Sequence, residues 1–102
     1  MKILVLDNPA LVDELRKEHE VVTCGRWEER FQIVCNELHP SLETVVSRCR
    51  QEFFEPEALL FIERGVKHLW RDMYLVPQMK AYYAVDSHLN FPWQRNYAAL
   101  FD

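Results

Sequence analysis

The chain has 102 residues, 49% of them hydrophobic and 27% charged, with a formal net charge of −4. That length fits one domain with a single core, and that balance fits a globular protein rather than a disordered one. The acidic balance, with no basic run longer than a pair, argues against a general nucleic-acid binder, because neutralising phosphates requires a basic face.

The apolar run Ile3-Leu4-Val5-Leu6 stops at Asp7. It falls short of the ~7–15 apolar residues in a signal-peptide core, and no window approaches the ~18 that a membrane helix needs. The expectation is a cytoplasmic protein with no membrane span. Cys24, Cys35 and Cys49 show no Cys-x-x-Cys spacing, which predicts reduced, packed thiols rather than a zinc site or a disulfide framework.

Lys2 to Leu6 reads as a strand buried on both faces, since its apolar residues are continuous rather than alternating. Asn8 is a suitable N-cap and Pro9 a suitable first residue for a helix whose apolar face is Leu11, Val12 and Leu15. Glu20 to Thr23 returns as a second strand closed by Gly25. Strand, helix and strand in so short a span make a βαβ unit, and hence a parallel sheet with a right-handed crossover.

Arg26 to Arg30 reads as a charged loop around Trp27, and Phe31 to Cys35 as a third strand ended by Asn36 and Glu37. From Pro40 or Ser41, the residues Leu42, Val45, Val46, Cys49 and Phe53 recur with the period of an amphipathic helix. Pro56 ends it, and Ala58 to Ile62 is a fourth strand that terminates in Glu63-Arg64-Gly65. Val66, Leu69, Trp70 and Met73 are spaced for a short helix before Pro77. A buried strand over 80–86 and a helix over 92–101, with Trp93, Tyr97, Leu100 and Phe101 on one face, complete the chain. The sum is a single three-layer α/β domain over residues 1–102, Rossmann-like or flavodoxin-like, with a mostly parallel sheet of about five strands.

Open parallel sheets bind ligands outside the carboxyl ends of their strands. Here those ends would carry Asp7 and Asn8, Asn36 and Glu37, Glu63 and Arg64, and Asp86, Ser87, His88 and Asn90. Asp, Ser and Asn at such places also serve as turn and capping residues, so part of this rim would be polar by default. Asp86 and His88 carry proton and charge chemistry that a turn does not need.

With only Gly25 and Gly65 in the chain, neither G-x-G-x-x-G nor a P-loop can be drawn, and no cofactor is expected. A phosphoacceptor receiver domain shares the size and the α/β class. The third strand, however, ends at Cys35-Asn36 without an acceptor aspartate, and the strand over 80–86 has no lysine at its end. Asp86 and His88 could share a metal, but no other histidine is clearly brought to that edge, so no metal ligand is assigned. Tyr82, Tyr83, Trp93 and Tyr97 could stack on a sugar, but their helical or strand spacing favours core packing for most of them.

The run Ala81-Tyr-Tyr-Ala-Val-Asp86-Ser87-His88-Leu89-Asn90, then Trp93-x-x-x-Tyr97-Ala98 and Leu100-Phe101-Asp102, resembles the N-terminal region of CgeB-like glycosyltransferases of the spore-maturation type. Phe54-Glu-Pro-Glu-Ala-Leu-Leu60 is similar as well. The resemblance runs the length of the chain, and its specific residues are in the last stretch. Gln94 departs from the pattern, where a histidine is expected after the tryptophan, and this leaves His88 as the catalytic-type histidine of the motif.

The resemblance implies a GT-B glycosyltransferase, in which two Rossmann-like domains face a cleft. The N-terminal one mainly meets the acceptor substrate and the C-terminal one mainly holds the nucleotide-sugar. On that expectation this chain is the acceptor-side half, inactive alone, with the donor-binding domain as its missing partner. Asp86 and His88 would position or deprotonate the acceptor hydroxyl, and Asp7, Asn8, Glu63, Arg64, Ser87 and Asn90 would line the cleft. The alternative is a free-standing α/β module that binds a small ligand or a protein without catalysis, or that dimerises through an exposed sheet edge.

Overall fold

The computed structural model describes residues 1–26, 31–63, 69–84 and 101. Five strands form one sheet: β1 (Lys2–Leu6), β2 (Glu20–Gly25), β3 (Ile33–Val34), β4 (Ala58–Ile62) and β5 (Met79–Tyr83). Their order is β3-β2-β1-β4-β5, and every neighbouring pair is parallel. This is the Rossmann-like order, in which the chain builds outward from β1 to β3, returns beside β1 and continues to β5 on the other side. The flavodoxin-like order is thereby set aside.

The sheet is buried on two sides, as the unbroken apolar runs over residues 3–6 of β1 and Ala58–Ile62 of β4 require. In β1, Leu4 and Leu6 face one layer and Ile3 and Val5 the other, as the two-residue period of a strand demands. On the first side α2 (Leu42–Glu52) packs Leu42, Val45, Val46 and Cys49 against Leu4, Leu6, Val22, Cys24, Ile33, Leu59 and Phe61. Trp70, Met73 and Val76 extend this layer, and Phe101 covers it by contacting the rings of Phe61 and Tyr82 at 4.8 and 5.0 Å. On the other side Val12 and Leu15 of α1 (Val12–Leu15) meet Ile3, Val5, Val21 and Ile62. Full burial of one such aliphatic side chain is worth roughly 1.5–3 kcal/mol.

α2 begins where the sequence indicates. Ser41 is extended, its Oγ accepts the Thr44 N–H at 3.4 Å, and it donates to Asp72 Oδ2 at 2.6 Å. The helix ends one residue before the expected face does. Phe53 has left helical geometry (φ −132°, ψ −80°) and is 43% exposed, so it does not extend the apolar stripe.

Four other expectations change. The first helix does not start at Pro9: Leu11 is exposed and regular helix begins at Val12, after a turn closed by Val12 N–H to Pro9 O at 3.1 Å. The third strand pairs only over Ile33–Val34, at the rim of the sheet. Residues 69–72 are not helical, because the Arg71 N–H donates to Pro40 O and Arg71 O accepts from the Leu42 N–H, a short parallel pairing with the entry to α2. Only Met73–Leu75 follows as a single 3-10 turn. β5 is an outer strand whose Met79, Ala81 and Tyr83 are exposed while Lys80 and Tyr82 are half-buried, rather than a buried strand. The helix expected over 92–101 lies outside the described residues apart from Phe101.

Gly25 has a steric task. A Cβ there would lie 2.3 Å from Cζ of Phe31, whose ring is buried against the end of β2 where the chain passes to β3 without a described helix. Thr23 and Gln32 fasten the same return: Thr23 N–H donates to Gln32 Oε1 and Gln32 N–H to Thr23 Oγ1, each at 3.1 Å.

Candidate functional site

The direction of strand order reverses between β1 and β4, and the carboxyl ends of these two neighbours define the crevice in which open α/β sheets hold ligands. The residues that immediately follow them are Asp7 and Glu63, 6% and 4% exposed. With Thr23 they are the buried polar residues among those described. Burying carboxylates is costly unless they are hydrogen-bonded, and the surroundings of Asp7 supply donors. The indole Nε1–H of Trp70 is shared between Asp7 Oδ1 and Oδ2, at 3.1 and 3.0 Å. The Asp7 N–H continues the ladder by donating to Cys24 O at 2.9 Å.

Asp7 adopts φ 80°, a left-handed conformation that an aspartate tolerates better than a β-branched residue does. The turn redirects the chain at once, so the side chain ends beneath Trp70 rather than continuing the pleat. Asn8 locks it: Oδ1 accepts the Ala10 N–H at 3.0 Å, and Nδ2 donates to Glu63 O at 3.3 Å. Glu63 in turn donates its N–H to Tyr83 O at 3.0 Å. One hydrogen-bonded row therefore ties the ends of β1, β4 and β5 together.

Of the residues singled out from sequence, Asp7, Asn8 and Glu63 are brought together at this edge. Both polar groups of the Asn8 side chain are engaged in holding the turns. Asn36 and Glu37 are exposed beyond β3, two strands away from β1, and Glu37 is 3.9 Å from the Arg71 guanidinium. Arg64, Asp86, Ser87, His88 and Asn90 lie outside the described residues. Sequence reasoning passed over Trp70, whose only signal was an indole in an apolar stretch; indole N–H groups seek an acceptor when buried.

Elsewhere, a groove of about 90 Å³ is lined by Val46, Ser47, Arg50, Val76 and Gln78 among others. It lies between α2 and the segment over residues 75–78 that leads into the start of β5, and so away from the carboxyl edge of that strand. Its Arg50 is paired with Glu55. Cys24 and Cys49 are fully buried free thiols, and burial pushes both up from the ordinary thiol range. They are packing groups rather than nucleophiles. No group of three or more metal-binding side chains occurs among the described residues, and no helix among them is long and apolar enough to cross a membrane.

No family model matches the chain, and neither a curated protein nor a solved structure matches it.

Proposed function

We propose that the chain is the acceptor-side Rossmann-like unit of a GT-B glycosyltransferase of the CgeB-like type. The observation that supports the reading is the place of the motif in the sequence: Asp86-Ser87-His88 begins three positions after Tyr83, the last residue of β5, whose carbonyl accepts the Glu63 N–H at the carboxyl edge. The parallel sheet in Rossmann-like order supports it, since that is the architecture the resemblance implies.

In this reading Asp7 and Glu63 form the floor of the cleft and Asn8 fixes their turns. His88, oriented by Asp86, accepts the proton of the acceptor hydroxyl as it attacks the anomeric carbon, and the nucleoside diphosphate leaves from the donor-binding domain. The β1 turn is poorly suited to holding the diphosphate itself. Pro9 has no N–H, the Ala10 N–H is taken by Asn8, and the neighbouring Asp7 is acidic.

Replacing His88 by Ala in the complete enzyme should lower turnover by ~10²-fold or more, the usual contribution of a positioned general base. An unchanged turnover number would reject that role for His88.

A further inference from the structure

We draw no further inference here: the strongest candidate outside the site already described, the partly uncovered sheet face of β4 and β5 at Leu60, Met79 and Tyr83, carries none because nothing in the structure shows what covers it.

Discussion

Trp70 joins the polar edge of the sheet to its core, so Trp70→Phe should be costly in a way that depends on Asp7. The indole has one N–H, shared by the two Asp7 oxygens at 3.1 and 3.0 Å, and therefore counts as a single charge-assisted bond. Such bonds are worth about 1.5–3 kcal/mol when buried. Phenylalanine would keep much of the edge-on contact with Phe61, now at a centroid distance of 6.3 Å. The missing second ring adds roughly 1 kcal/mol of lost packing. Together these predict a loss of about 2.5–4 kcal/mol, against a total stability on the order of 5–15 kcal/mol for a domain. Urea denaturation followed by circular dichroism would measure it. The decisive quantity is the coupling in a cycle with Asp7→Gly, a replacement that accepts φ 80° while removing the carboxylate. In that background Trp70→Phe should cost only its packing share, which leaves a coupling of about 1.5–3 kcal/mol. Additive losses, with coupling below about 0.5 kcal/mol, would refute the reasoning.

Gly25→Ala should destabilise by about 1–3 kcal/mol, because the new methyl must displace the buried Phe31 ring. The same change in a Phe31→Ala background should cost much less, as thermal melts of the four proteins would reveal. Ser41→Ala removes the α2 cap and the donor to Asp72 and should cost about 0.5–2 kcal/mol by urea titration. Cys24 and Cys49 are protonated more tenaciously in the folded chain than in the unfolded one, so their contribution is intact below the ordinary thiol pKa and is lost as pH rises above it. The urea midpoint should fall above pH ~8.5, and less steeply in Cys24→Ala. In native labelling with a thiol reagent, the half-buried Cys35 should react ahead of the two buried cysteines.

The elements legible in the sequence are those in which one pattern had one structural solution. β1 and β4 read to the residue because both faces are buried and the apolar run is unbroken. α2 read well because its period and its serine cap agree. Phe53 misled because spacing alone cannot reveal that the helix has already ended. Leu69, Trp70 and Met73 misled for a related reason: an extended segment followed by a 3-10 turn can also deliver them to one layer, and the pairing of Arg71 with Pro40 and Leu42 is a tertiary contact with no local sign. At the site, Asp7 and Glu63 could be found as strand ends. The Trp70 bond to Asp7 spans 63 positions and could not.

The acceptor-side reading stands or falls on sugar transfer by the polypeptide made from the native gene, measured as nucleoside diphosphate released from a panel of nucleotide sugars. The proposal predicts release by that product and none by residues 1–102 alone. A native product that releases nucleoside diphosphate from none of the donors, or residues 1–102 that transfer sugar unaided, would contradict it.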